Sequence, residues 1–134
     1  MASFEVKGIE AAEAAMLKQS ARAARAVPKM LNAGAEVLIE HHKREIAATF
    51  RGARSTGDMQ KGVKKTNIKS SGHGKSLYVY PQGNDRHGVS NATKYFVQNY
   101  GRSNMRASYV RDKANKAAAD DVQAAMKREW EETQ

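Results

Sequence analysis

Apolar positions recur with helical spacing along much of this chain, most clearly over residues 28–50. In that stretch they fall within about a third of the helical circumference, and the opposite side is mostly charged. The apolar stripe consists of Leu31, Ala35, Leu38, Ile39, His42, Ile46 and Phe50. This pattern predicts an amphipathic helix that buries one face against a sheet, with His42 as a packing residue on that face.

Two further stretches are predicted to be helical. Residues 10–26 are rich in alanine, which favours helix, but Met16 and Leu17 are their only large apolar side chains. The Val27–Pro28 pair predicts a break before the helix of residues 28–50. From residue 109 to the end, Val122, Met126 and Trp130 recur every four positions, which predicts a final amphipathic helix.

The strand signals are shorter. Residues 3–7 alternate polar and apolar side chains and predict a short edge strand. Residues 62–68 and 76–81 predict a hairpin whose long, mobile, basic tip lies over residues 70–74. Residues 82–91 are expected to form a polar loop, and residues 93–100 an aromatic segment closed by Gly101. Tyr95, Phe96 and Tyr100 are expected to reach the core while the chain reverses at Gly101.

Together these elements predict an α+β fold. A small antiparallel sheet of about three to four strands, with a long hairpin, packs against two or three helices. The 134 residues show no internal repeat and no compositional break, so a single domain over residues 1–134 is expected.

Composition narrows the classes of function. The chain has no cysteine, so disulfide and thiolate chemistry are excluded. It has no pattern typical of a signal peptide or a membrane span, and we expect a soluble protein made in a cytoplasm. The net charge of +9 suits a polyanionic partner such as nucleic acid, and equally suits an acidic neighbour within an assembly.

No catalytic constellation emerges from the motifs. The stretch over residues 72–76 resembles part of a phosphate-binding loop, but Lys69 stands where a glycine is required and a strand follows instead of a helix. The adjacent His41 and His42 point about 100° apart on a helix and cannot chelate one ion together. The paired acids at residues 120–121 and 131–132 fit a solvated helix face. We therefore expect no enzyme activity, no cofactor and no metal site.

The lysines of the predicted hairpin lie near Tyr78 and Tyr80. Basic side chains interleaved with aromatic ones are typical of proteins that hold a nucleic-acid backbone and stack bases. The alternative is a solvated edge hairpin that lysines protect against unwanted pairing, or a protein interface.

Three segments, in order, resemble the HK97-type tail-component family of long-tailed bacteriophages, whose members are small neck or tail-completion proteins. Residues 4–9 (Phe-Glu-Val-Lys-Gly-Ile) are similar to the family's opening strand. Residues 55–63 (Ser-Thr-Gly-Asp-Met-Gln-Lys-Gly-Val) resemble its Thr-Gly turn into the first hairpin strand. Residues 95–103 (Tyr-Phe-Val-Gln-Asn-Tyr-Gly-Arg-Ser) resemble its aromatic-Gly-Thr segment, and Met105 and residues 109–111 its start of the last helix.

The resemblance implies a structural virion protein of the head–tail junction. Copies would form a homo-oligomeric ring, a hexamer in the virion, between head-completion or connector proteins and tail-terminator or tail-tube proteins, with DNA passing through the lumen and no membrane involved. The candidate contacts are Lys61, Lys64, Lys65, Lys69, Lys75, Arg86, Arg102 and Arg106, with Gly57 and Gly101 as structural turns. A small nucleic-acid-binding module that uses the lysine-rich hairpin with Arg102, Arg106 and Arg111 is the alternative.

Overall fold

The computed structural model describes residues 2–52, 55–72 and 74–134, with side chains from residue 14 onward. The elements, in chain order, are α1 (Ala2–Thr49), α2 (Asp58–Lys61), β1 (Val63–Lys65), β2 (Lys69–Ser71), β3 (Gly74–Ser76), β4 (Val79–Pro81), α3 (Asn91–Tyr100) and α4 (Val110–Glu132). Helices and small antiparallel sheets together confirm the predicted α+β class.

An antiparallel pair of long helices, α1 and α4, forms the frame of the molecule. Near one end, Arg22 donates to the carbonyl oxygens of Thr133 and Trp130, at 2.8 Å each. Near the other end, Nε2 of His42 lies 2.8 Å from Oδ1 of Asn115. Between these points the helices approach closely, because a Cβ at Gly34 would lie 3.2 Å from Cγ of Met126.

The predicted apolar stripe of α1 is confirmed, but its main partner is a helix. All of its residues are buried or half-buried. α4 is the larger partner of α1, but Ile39, Ile46 and Phe50 pack in one cluster with Val63 and Val79 of the hairpin. The expected packing on a sheet is therefore found over the C-terminal half of the stripe, whereas the short hairpin strands leave the rest of α1 to α4.

Two predicted interruptions of α1 are wrong. Residues 3–7 are helical, because a five-residue alternation is a weak signal beside a long alanine-rich helix that propagates at little cost per residue. Pro28 lies inside the helix and not at a break. A proline in a helix interior costs about 3 kcal/mol. Tertiary contacts of α1 with α4 lie on both sides of it, from Arg22 to His42, and offset that cost.

The predicted hairpin is present, but both of its arms are interrupted. β1 pairs with β4, with Val63 opposite Pro81. β2 pairs with β3, with Ser71 opposite Gly74. Between the two ladders, the backbone N–H of Tyr78 donates to the hydroxyl of Thr66 at 2.9 Å. The predicted strands over residues 62–68 and 76–81 are therefore two ladders that a threonine side chain bridges. His73, in the predicted tip, lies outside the described residues.

The small core lies where α1, α3, α4 and the hairpin meet. Ile46, Val63, Tyr95 and Val110 are buried there, and Ile39, Phe50, Met59 and Val79 pack around them. The predicted final helix is confirmed as α4, and its Asp120–Asp121 and Glu131–Glu132 pairs are exposed as expected. Within the described residues, no helix carries an apolar stretch long enough to cross a bilayer.

Candidate interaction surface

A buried polar junction joins three helices beneath the candidate surface. His42 of α1 is 2% exposed. Its Nε2 faces Oδ1 of Asn115 on α4, and its Nδ1 bonds the hydroxyl of Tyr95 on α3. Since the Asn115 oxygen can only accept, Nε2 carries the proton, and in the neutral imidazole Nδ1 then accepts from the Tyr95 hydroxyl. His42 is the packing residue that the sequence predicted, and its two hydrogen bonds fix the helices relative to one another.

Burial keeps the side chains of His42 and Tyr95 uncharged. Loss of solvent lowers the pKa of His42 from 6.5, although the hydrogen bond to Asn115 opposes the shift. Loss of solvent likewise raises the pKa of Tyr95 above its usual value of 10. Both groups therefore stay neutral at neutral pH, as a junction buried under an apolar surface requires.

Above this junction lies a groove of about 400 Å³. We call it the aromatic groove. Its walls include Leu38 of α1, Leu77, Tyr78 and Val79 of the hairpin, Phe96 of α3 and Arg111 of α4, and the rest of its lining is His42, Tyr80, Tyr95 and Asn115. Its walls thus come from parts of the chain that lie far apart in sequence. A mostly apolar concavity with a few convergent polar groups is typical of a binding site.

The rim of the groove exposes large aromatic rings. Tyr78 is 64% exposed, Phe96 40% and Tyr100 62%. The guanidinium of Arg111 lies 5.4 Å from the centre of the Phe96 ring and 6.0 Å from that of Tyr100, and Nη1 donates to the Tyr100 hydroxyl at 2.6 Å. Arg111 therefore holds the two rings of α3 in place by cation–π and hydrogen-bond contacts.

The expectation that Tyr95, Phe96 and Tyr100 all reach the core is correct for Tyr95 alone. Tyr95 and Asn99, four residues apart, occupy the buried face of α3. Phe96 and Tyr100 occupy the neighbouring face, which is exposed. Because the segment is a helix, one aromatic face must turn away from the core. The i, i+4 spacing of these pairs is the sequence signal that separates the two faces.

The hairpin lysines do not form one continuous stripe. Lys61, Lys64, Lys65, Lys69 and Lys75 are all exposed. Lys64 and Lys65 are adjacent on β1 and so point to opposite faces of the ladder. Lys69 lies opposite Ser76 and Lys75 opposite Ser70, which places these two lysines on opposite faces as well. Among them, Lys65 forms an ion pair, 3.3 Å from Glu36 of α1.

Arg86 is held by an intramolecular contact. Its guanidinium forms two hydrogen bonds to the carboxylate of Asp58, at 2.9 and 3.0 Å, and its backbone N–H forms a third at 3.0 Å. These bonds lower the pKa of Asp58. Nearby, Lys94 lies 2.6 Å from Asp85 and, with backbone N–H groups, lowers the pKa of that carboxyl to about 2. The polar loop is thereby fastened to α2 and α3.

The other predicted residues lie at turns. Arg102 and Arg106 are exposed on either side of a tight turn in which the backbones of Arg102 and Met105 bond each other at 2.9 Å. Gly101 has φ +74, and a Cβ there would lie 2.7 Å from the backbone nitrogen of Ala107, so the turn needs glycine. Gly57 has φ +80, but it leads into α2 and not directly into a strand.

Among the described residues, no group of three or more histidine, aspartate or glutamate side chains could hold a metal ion. What the fold brings together instead is an aromatic groove with one arginine, a lysine-rich hairpin beside it, and exposed Met16 and Leu17 on α1. Comparisons with protein-family models, with curated proteins and with solved structures give no match to this chain.

Proposed function

We propose that the chain is a structural subunit of a phage head–tail junction that associates with copies of itself into a ring. The observation that carries this proposal is a pair of different apolar surfaces at opposite ends of the α1–α4 pair. A head-to-tail ring needs two distinct, complementary patches on each subunit, whereas a twofold dimer needs only one.

The first surface is the N-terminal part of α1. Residues 14–21 are exposed at every position, including Met16 and Leu17 at 71% and 72%. The contacts of Arg22 with Thr133 and Trp130 mark where α4 ends. The second surface is the aromatic groove near the N-terminus of α4. Since α4 has 23 residues, the two surfaces are separated by roughly 30 Å.

The kind of assembly is proposed from the resemblance to the HK97-type tail-component family. Under this proposal the ring lies between connector and tail proteins in the virion, with DNA in its lumen. The lysine-rich hairpin, Arg102 and Arg106 project as charged surfaces toward those neighbours or toward the DNA. A hexamer is the stoichiometry that the resemblance favours.

The test is the mass of the purified protein by light scattering at increasing concentration, with a DNA duplex in a parallel series. Expected are assemblies of several 14.7 kDa chains at high protein concentration, and no tight binding to free DNA at moderate salt. A chain that stays monomeric at every concentration, with and without DNA, would overturn the ring proposal.

The exposed lysines favour a second candidate, a nucleic-acid-binding module. Four of the five hairpin lysines, all but Lys65, form no ion pair among the described residues. This candidate requires a monomer whose affinity for DNA falls steeply with salt, because each phosphate contact releases a counterion. The division of the lysines between both faces of the hairpin argues for few simultaneous phosphate contacts, so the ring subunit remains the better supported function.

A further inference from the structure

We propose that the aromatic groove of one subunit receives the N-terminal segment of α1, residues 2–17, from a second copy of the chain. This inference rests on the proposed ring function and specifies its subunit contact. The groove and the segment lie at opposite ends of one molecule, so each copy offers one of each.

The segment cannot reach the groove of its own chain. Residue 17 and Leu38, which lines the groove, lie on the same continuous helix. Twenty-one residues of helix separate them by about 30 Å. A continuous helix does not fold back on itself, so only another molecule can bring Leu17 to an aromatic groove.

Charge favours this occupant. Residues 2–17 contain Glu5, Glu10 and Glu13 against a single lysine, Lys7, so the segment is net acidic in a chain of net charge +9. Arg111 is the charged residue that lines the groove. An acidic helix therefore complements the charge of the groove.

The apolar chemistry also matches. Met16 and Leu17 are flexible aliphatic side chains that are exposed among alanines. The groove presents exposed rings at Tyr78 and Phe96. Methionine makes favourable sulfur–aromatic contacts, and an amphipathic helix laid into a hydrophobic groove is a recurring mode of recognition.

The contact is heterologous. The segment of one copy enters the next, whose own segment remains available for a third. Closure of this chain of contacts gives a ring.

The test uses two full-length variants, each of which disrupts one side of the contact. Leu17→Asp places a charge on the inserting helix, and Tyr78→Asp places one on the groove. Both positions are exposed in the subunit, so both variants are expected to fold, which circular dichroism and the unfolding midpoint verify. Val89→Asp is the matched control, because Val89 is an exposed apolar residue outside both surfaces.

Under conditions where the wild type assembles, each damaged variant alone is expected to remain at the mass of one 14.7 kDa chain. An equal mixture is expected to form a dimer and stop there, because the intact segment of the Tyr78→Asp chain enters the intact groove of the Leu17→Asp chain. The Val89→Asp protein is expected to assemble as the wild type does.

The outcomes separate the two proposals. If the wild type assembles but either damaged variant assembles equally well, or the mixture stays monomeric, the segment-in-groove contact is wrong while the ring function stands. If the wild type itself stays monomeric at every concentration, the ring function fails, and the contact fails with it.

Discussion

The side chain of Asn99 on α3 caps the first turn of α4 beside Arg111. Its Oδ1 accepts the backbone N–H groups of Arg111 and Asp112, at 2.9 and 3.1 Å. Tyr109, at the N-cap position itself, has φ +56 and makes no side-chain cap bond. An amide from another helix therefore satisfies the N–H groups that a helix start leaves unpaired, and it fixes the helix that carries Arg111 to the helix that carries Phe96.

Replacing Asn99 is expected to loosen the groove and the fold together. Asn99→Ala removes the cap and leaves two part-buried N–H groups without this partner, for which we expect a loss of about 1–2 kcal/mol in the free energy of unfolding. Urea unfolding followed by circular dichroism measures it. Asn104→Ala, on an exposed turn, is the control and is expected to stay within about 0.5 kcal/mol. Equal effects of the two changes would contradict the capping role.

Two glycines offer a matched comparison of backbone strain with and without a clash. Gly57 and Gly101 both have positive φ, but a Cβ at Gly57 meets nothing within 4 Å, whereas one at Gly101 lies 2.7 Å from a backbone nitrogen. Gly57→Ala is expected to cost about 1–2 kcal/mol for the left-handed conformation alone. Gly101→Ala is expected to cost more, because the turn before α4 must also shift. Thermal unfolding of both variants checks the order, and the reverse order would refute it.

The close packing of α4 onto α1 predicts that a larger side chain between the two helices lowers stability. A Cβ at Gly34 meets Met126 and Val122 at 3.2–3.3 Å, so Gly34→Leu would force the two helices apart. We expect a loss of about 1–3 kcal/mol in the free energy of unfolding from overpacking. Ala24→Leu, at an exposed position of the same helix, is the control that separates overpacking from a general effect of leucine. A neutral Gly34→Leu variant would show that α4 is not held closely at this point.

The parts of the fold that follow from local sequence periodicity were predicted correctly. They are the apolar stripe of residues 28–50, the final helix and the hairpin. The continuity of α1 through Pro28 was missed, because it depends on α4 packing on both sides of the proline, which a sequence window does not contain. The exposure of Phe96 and Tyr100 was missed for a similar reason: which face of α3 meets the core is decided by α1 and α4.

The candidate surface divides in the same way. The exposure of the hairpin lysines was predicted, since a lysine in a polar stretch is usually solvated. The aromatic groove was not predicted, because its walls come together only when α1, the hairpin, α3 and α4 have packed. Arg86 was expected to face a partner, and its bonds to Asp58 became visible only when loop and helix were brought together.

Acid is expected to weaken the fold in two pH ranges. The lower range comes from Asp58 and Asp85, whose hydrogen bonds to Arg86 and Lys94 lower the pKa of each carboxyl from 3.8. The folded chain binds these protons less tightly than the unfolded chain does. Their contribution to stability is therefore complete above pH 3.8 and is lost as the pH falls below that value. Urea midpoints of Asp58→Asn should show a shallower acid limb than those of the wild type.

The upper range comes from His42. Burial lowers its pKa from 6.5, and the charges of Arg111 and His41 add to this effect. Because the unfolded chain takes up the proton more readily, stability that depends on a neutral His42 is full above pH 6.5 and falls as the pH drops below it. We expect the urea midpoint of the wild type to begin to fall at that point, before the carboxyl range is reached.

Substitution at two histidines isolates this effect. His42→Gln keeps a polar side chain but removes the titrating group, so its urea midpoint is expected to be lower at neutral pH and nearly flat until the carboxyl range begins. His87→Gln makes the same change on an exposed loop and should follow the wild type throughout. If His42→Gln and the wild type lose stability in parallel below pH 6.5, the proton is taken up elsewhere. The pH dependence of stability would then not come from the neutral His42 that joins α1, α3 and α4.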